Sequence, residues 1–186
     1  MATALVVLCA GAEEIETVTI ADVLVRAKQE VTVASAAGLV VLGSRGIPLA
    51  AHVTLDEVRQ RDFDVVYLPG GMGSATTCRD DPRIQDLAER QLRSPRLLAV
   101  ICAAPIALVP RRLCAGRSLT SFPGVRAQVE PHALAWVDRP VVIDGNLVTS
   151  QGPGTALALA LALAKLLAGE TVAQTVARDM LAPSGA

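Results

Sequence analysis

The sequence is poor in aromatic residues, with one Trp, one Tyr and two Phe. A chain so short of rings offers no stacking platform for nucleic-acid bases. It also has no excess of one charge: 17 basic residues stand against 18 acidic ones, for a net charge of −1. That balance provides no field to attract nucleic acid or an anionic membrane. Long apolar runs are missing too. The Ala/Leu-rich run beginning at Ala156 falls far short of the roughly 18 residues that a membrane span needs. No basic region precedes the short apolar run at the N-terminus, and Glu13 and Glu14 follow it closely. No signal peptide is therefore expected, and the expected location is cytoplasmic. Histidine is limited to His52 and His132, far apart and not paired with cysteine at ligand spacing, so no metal site is expected. The four cysteines, Cys9, Cys78, Cys102 and Cys114, include no CxxC pair and read as reduced thiols.

What the sequence does have is a 52% share of apolar residues, mostly small or branched aliphatics. Over 186 residues this suits one domain, 1–186, whose strands are covered on both faces. Ala4–Cys9 reads as a buried strand broken at Gly11. Glu13–Lys28 reads as a helix, with Ile15, Val18, Leu24 and Val25 near one face. Val31–Ser35 is the next strand, so the chain opens strand–helix–strand and predicts a parallel sheet. Leu39–Val53, broken by Gly43, Gly46 and Pro48, reads as a short hairpin or edge excursion, and Leu55–Arg61 as a small helix. Val65–Leu68 and Leu97–Ile101 are further buried strands, separated by a helix from Asp81-Pro82 to about Leu92. Pro105–Leu113 is expected to be helical and Ser118–Ser121 a strand, with a helical turn near Val125–Val129. Asp144-Gly145-Asn146 reads as a hairpin turn between Val141–Ile143 and Leu147–Thr149. A last long helix to about Ala168 is apolar almost all round, which predicts burial, and a shorter helical tail follows Gly169. The fold class is α/β, with three layers and a mostly parallel sheet flanked by helices.

In such folds sites form beyond the carboxyl ends of the strands. Three segments qualify: Gly11–Glu16, Pro69–Gly73 and Cys102–Pro105. Cys102 follows a buried strand and precedes the small Ala103 and Ala104, as a nucleophile at a tight strand-to-helix turn requires. The N-terminus of the helix after it should favour thiolate over thiol. The plain alternative is an inert core cysteine. Gly70 and Gly71 allow backbone amides to face a developing oxyanion, or simply make a tight turn. Glu13, Glu14 and Glu16 complement the helix dipole, unless one points inward as a proton carrier beside the thiol. Cys9 ends the first strand and could face the same crevice. Cys78 and Cys114 default to packing roles.

Gly11-Ala12-Glu13-Glu14-Ile15-Glu16, Tyr67-Leu68-Pro69-Gly70-Gly71, Ala99-Val100-Ile101-Cys102-Ala103-Ala104-Pro105 and Thr149-Ser150-Gln151-Gly152-Pro153-Gly154-Thr155 occur in this order. Together they resemble the ThiJ/PfpI superfamily, in the branch that contains YajL and the Parkinson's-disease-associated deglycase. The resemblance covers nearly the whole chain. It implies a flavodoxin-like sandwich and a homodimer. It implies an elbow nucleophile at Cys102 and a protonated partner at Glu16. Glu13 matches an acid at the mouth of the pocket, and the amides of Gly71 and Ala103 match an oxyanion site. Arg45 matches an arginine reaching the partner subunit's pocket, and Pro153 a lining residue. One departure is Phe122, where many relatives place a histidine. It weakens a peptidase or amidase reading of the PfpI kind, which wants a histidine base.

The function so implied is a cysteine-dependent deglycase or cofactor-independent glyoxalase, acting on methylglyoxal-type aldehydes and their early adducts. No metal and no organic cofactor are expected. The alternative is a redox sensor or oxidative-stress chaperone with unfolded protein clients, built on an oxidisable Cys102.

Overall fold

The computed structural model describes residues 1–183. The chain runs β1 (Thr3–Leu8), α1 (Glu14–Arg26), β2 (Glu30–Ser35), β3 (Val40–Leu42), β4 (Pro48–Ala50), β5 (Val53–Thr54), α2 (Leu55–Val58), β6 (Val65–Leu68), α3 (Met72–Asp80) and α4 (Pro82–Leu92). It continues through β7 (Leu97–Ile101), β8 (Ser118–Leu119), α5 (Arg126–Val129), β9 (Ala135–Trp136), β10 (Val141–Asp144), β11 (Leu147–Ser150), α6 (Ala156–Ala168) and α7 (Glu170–Asp179). The central sheet has seven strands in the order β10-β11-β7-β6-β1-β2-β5. All its pairings are parallel except β10 with β11. This is the flavodoxin-like α/β sandwich that the sequence implies.

The sheet separates two apolar layers because successive side chains point to opposite faces. Along β1, Ala4 and Val6 join Ile20, Leu24 and the inner residues of α6, whereas Leu5, Val7 and Cys9 join Ala75, Cys78, Ile84 and Leu87. Helices α1, α6 and α7 thus cover one face, and α3 and α4 the other. The apolar α6 packs between α1 and α7 with Leu159, Ala160 and Leu163 buried, and its outer side reaches the surface at Lys165 and Leu166.

Four local expectations need correction. Ile15, Val18 and Val25 do not share a face of α1 with Leu24: they are each more than half exposed, whereas Leu24 is buried. Helix α3 stands where no helix is expected, because Gly73, Thr76 and Thr77 are poor helix formers. Burial of Ala75 and Cys78 overrides that propensity. Pro105–Leu113 is not one helix but a single 3-10 stretch, Ala104–Leu108, followed by turns. Pro110 supplies no amide to continue it. The strand expected over Ser118–Ser121 shortens to β8, which pairs in parallel with the unanticipated β9. The Leu39–Val53 excursion is an antiparallel hairpin of β3 and β4, and Gly145 turns the β10–β11 hairpin at φ +59°.

Candidate active site

Strands β7, β6 and β1 are parallel neighbours, so their carboxyl ends deliver Cys102, Gly70-Gly71 and Gly11–Glu16 to one edge of the sheet. There they border a cavity of about 690 Å³. Its lining includes Glu13, Ser44 and Arg45, the apolar Met72, Phe122, Val125 and Pro153, and Gly71, Cys102 and Ala103.

Cys102 has φ +60°. For a residue with a side chain this left-handed conformation costs about 1 kcal/mol or more, so the surroundings must impose it. They do so from both sides: its N–H donates to Ser150 O at 3.0 Å, and its carbonyl accepts from Phe122 N at 2.8 Å. Ala103 and Ala104 are buried in the tight space that follows. Cys102 remains partly open to the cavity, whereas Cys9, Cys78 and Cys114 are buried. Cys9 packs in the core rather than in the crevice, with its sulfur 3.9 Å from that of Cys78.

Glu16 is the inward-pointing acid. Its side chain is fully buried, and Oε2 accepts from Gly70 N at 2.8 Å. Oε1 is buried without a hydrogen-bond partner, and Cys102 is among the groups that bear on the titration of this carboxyl. Tyr67, buried on β6, donates its hydroxyl to Glu16 O at 3.1 Å and fixes this turn of α1. Burial pushes the Glu16 carboxyl up to about 7, against the pull of the Gly70 amide.

The expected lowering of the cysteine pKa is reversed. Burial, and then the charge of Glu16, push the Cys102 thiol up to about 12. The 3-10 stretch after it is too short to act as a helix dipole. What favours thiolate is local: the backbone amides of Gly71 and Ala103 act against the rise. With Glu16 ionised the thiol keeps its proton, and with Glu16 protonated the repulsion disappears. The two groups therefore titrate as a pair.

The glycines are needed where they stand. A Cβ on Gly70 would lie 2.5 Å from Cys102 Cβ and 2.6 Å from Glu16 Oε2, so only glycine lets thiol and carboxyl approach across it. Gly71 has φ +82°, and a Cβ there would meet Gly11 O at 2.1 Å. Glu13 caps α1 by accepting from Glu16 N at 2.8 Å, and also lines the cavity. Glu14, the third acid of the motif, has a task that dipole complementation does not cover. Its carboxylate accepts from Arg45 N at 2.7 Å, Ile47 N at 3.3 Å and Ser44 Oγ at 3.0 Å. It thereby holds the β3–β4 turn, and Arg45 with it, at the rim of this chain's own cavity.

His52 and His132 are exposed and do not line the cavity, whereas Phe122 borders it. Met72, Val125 and the Glu14 anchor escape sequence reasoning. Met72 lies on the unforeseen α3, and the other two follow from contacts across the chain. Among the described residues no three His, Cys, Asp or Glu side chains gather as a metal site, and no helix is long and apolar enough to cross a membrane.

The sequence profile of the DJ-1/PfpI family matches residues 2–166. Protein dj-1beta of Drosophila melanogaster is 42% identical over 180 residues, covering 96% of each chain. The glutathione-independent glyoxalase DJR-1.2 of Caenorhabditis elegans is 34% identical over 158 residues, covering 85% of this chain and 84% of the relative. The crystal structure of the Drosophila DJ-1beta superposes with a TM-score of 0.95 over 98% of both chains. That of Toxoplasma gondii DJ-1, in an oxidised form, gives 0.93 at 31% identity over 98% of this chain and 99% of that one.

Proposed function

Because this chain belongs to the DJ-1/PfpI family, we propose that it is a cysteine-dependent enzyme acting on methylglyoxal-type α-oxoaldehydes and their early adducts with amines. The observation that carries this reading is the strained Cys102 across Gly70 from the buried, proton-holding Glu16. A relative named as a glutathione-independent glyoxalase supports it.

The sulfur attacks the aldehyde carbon, forming a C–S bond as the carbonyl π pair moves to oxygen. The amides of Gly71 and Ala103 hold that oxygen, and the proton leaving sulfur passes through Glu16 to it, giving a hemithioacetal. Glu16 then moves the proton of the former aldehyde carbon to the adjacent carbonyl carbon by way of an enediol, while the hydroxyl proton passes to the adjacent carbonyl oxygen, converting the hemithioacetal into a thioester. Water cleaves the thioester, releasing a hydroxy acid and the thiol. With an amine adduct the C–S bond forms as the C–N bond breaks, and the proton leaving sulfur passes through Glu16 to the departing amine, giving the same hemithioacetal. The aldehyde supplies both oxidant and reductant, so no external redox partner is consumed. The test is lactate formation from methylglyoxal. Cys102→Ser should abolish it, and Glu16→Gln should lower kcat by at least about 100-fold. Unchanged turnover in Cys102→Ser overturns the reading.

A redox-sensing role, with or without chaperone activity, is supported by the partial exposure of Cys102 beside an acid able to hydrogen-bond its oxygenated forms. A peptidase reading has no such support, since no histidine lines the cavity. We also propose a homodimer and a cytoplasmic location. Exposed Ile15, Val18 and Val25 on α1, with Val40, Leu42 and Ile47 on the β3–β4 hairpin, provide the apolar surface for self-association.

A further inference from the structure

The buried thiols of Cys9 and Cys78 are not used by the reaction at Cys102. They come from chain positions 69 residues apart, yet their sulfurs lie 3.9 Å from each other with no accessible surface on either residue. We propose that Cys9 and Cys78 form a second redox site, a buried dithiol that peroxide converts reversibly into an intrachain disulfide.

Three features support this. The sulfurs already touch, so bonding at about 2.05 Å requires an approach of roughly 2 Å, within reach of side-chain rotation and a small shift of α3. Helix α3 can make that shift, because it begins at Gly71 with no side-chain cap. Burial then selects the product. Peroxide is small enough to enter as the structure breathes, whereas a bulky thiol such as glutathione is not. An oxidised sulfur formed here meets the other cysteine before it meets a second oxidant.

The chemistry balances. One sulfur attacks peroxide, the O–O bond breaks, and a sulfenic acid and water form. The second sulfur attacks the sulfenic sulfur, the S–O bond breaks, the S–S bond forms and a second water leaves. Two thiols lose two electrons and peroxide gains them. The contact with Cys9, and then burial, hold the Cys78 thiol well above its ordinary range, so this oxidation is slow in the resting fold and waits on local opening.

The location gives the bond a consequence. Two residues after Cys9, Gly11 packs against Gly73 in the first turn of α3, where a Cβ on Gly11 would lie 3.1 Å from Gly73 Cα. Gly11, Met72 and Gly73 all border the cavity. The disulfide would tie together two segments that border the cavity.

The test uses the full chain carrying Cys102→Ser and Cys114→Ser, which keeps only this pair. The folded protein is treated with hydrogen peroxide, unfolded in the presence of iodoacetamide, and digested without reductant for mass spectrometry. The expected result is joint loss of alkylation at both cysteines, a linked Cys9–Cys78 peptide in monomeric protein, and recovery on reduction. Both thiols remaining alkylatable, oxidation of one alone to a sulfinate, or links between chains would each overturn the proposal. Should the double variant not fold, the same digest of wild-type protein reports the same linked peptide or its absence. Catalytic assays do not enter, so this outcome is independent of the one at Cys102.

Discussion

Glu16 and Cys102 are each held away from their charged form by burial, and each charge is further penalised by the other. The consequence for stability has a definite sign. Glu16 is raised to about 7 in the fold from an ordinary 4.5, so between those values the folded chain binds more protons than the unfolded one. Stability therefore falls as pH rises from about 4.5 to about 7, by roughly 3 kcal/mol at most. Glu16→Gln should flatten that limb of a pH series of urea unfolding, and an unchanged slope would mean that Glu16 titrates normally. The same pair predicts the reactivity of the thiol. Alkylation of Cys102 should rise through about pH 7, as Glu16 loses its proton and the pair is left holding one, and rise again only near 12. In Glu16→Gln the step near 7 should vanish. The thiol should also titrate lower, because the second-largest cause of its rise, the carboxylate charge, is gone. Iodoacetamide kinetics at Cys102, read by mass spectrometry, check both statements. Cys102 was legible in the sequence as an elbow residue with small neighbours, but the direction of its pKa was not. Sequence suggests a helix N-terminus, whereas burial and the fold-imposed approach of Glu16 decide the outcome.

Among the elements, the first turn of α1 does the most, because its three acids face three different ways. Glu16 points into the site, Glu13 caps the helix, and Glu14 binds the β3–β4 turn. Composition shows only an acidic first turn, for which dipole complementation is a sufficient account. The division of labour depends on residues 44–47, which are distant in sequence. Glu14 also carries the opposite pH signature to Glu16. Its hydrogen bonds with Arg45, Ser44 and Ile47 outweigh burial and hold its carboxyl below the ordinary value, so its contribution is present above about 4.5 and is lost as pH falls below that. Glu14→Ala should free the turn. Hydrogen exchange at the amides of Arg45 and Ile47 should quicken while α6 keeps its protection, and the loss of stability should be roughly 2 kcal/mol. Helix α3 teaches a related lesson. Its sequence reads as a loop, and it forms because Gly71 reverses the chain at a positive φ and Ala75 and Cys78 find a core. Gly71→Ala would force a Cβ against Gly11 O and should destabilise by more than about 2 kcal/mol, measurable by thermal unfolding.

At the scale of the whole molecule, the layered α/β architecture follows from buried strands alternating with helices, and that alternation is visible in the sequence. The pairing of β8 with β9, and the cavity wall of Met72 and Val125, are not visible there, since short strands and long-range contacts leave no local pattern. The outer surface bears on assembly. Ile15, Val18 and Val25 lie on the outward face of α1 and are each more than half exposed, as are Val40, Leu42 and Ile47 on the adjoining hairpin. A helix that buries Ile20, Val23 and Leu24 inward and still shows three branched aliphatics outward is apolar on both sides, which suits a helix between two cores rather than one facing water. A charge placed there should prevent burial against a second copy while leaving the inner face intact. Val18→Asp is therefore expected to halve the mass seen by light scattering after size exclusion, with little change in far-UV circular dichroism. Arg45 lies in the turn of the same hairpin, so loss of the interface should also reach the cavity rim and raise KM more than it lowers kcat. Wild-type protein that runs as a monomer at micromolar concentration would remove the interface argument while leaving the chemistry at Cys102 untouched.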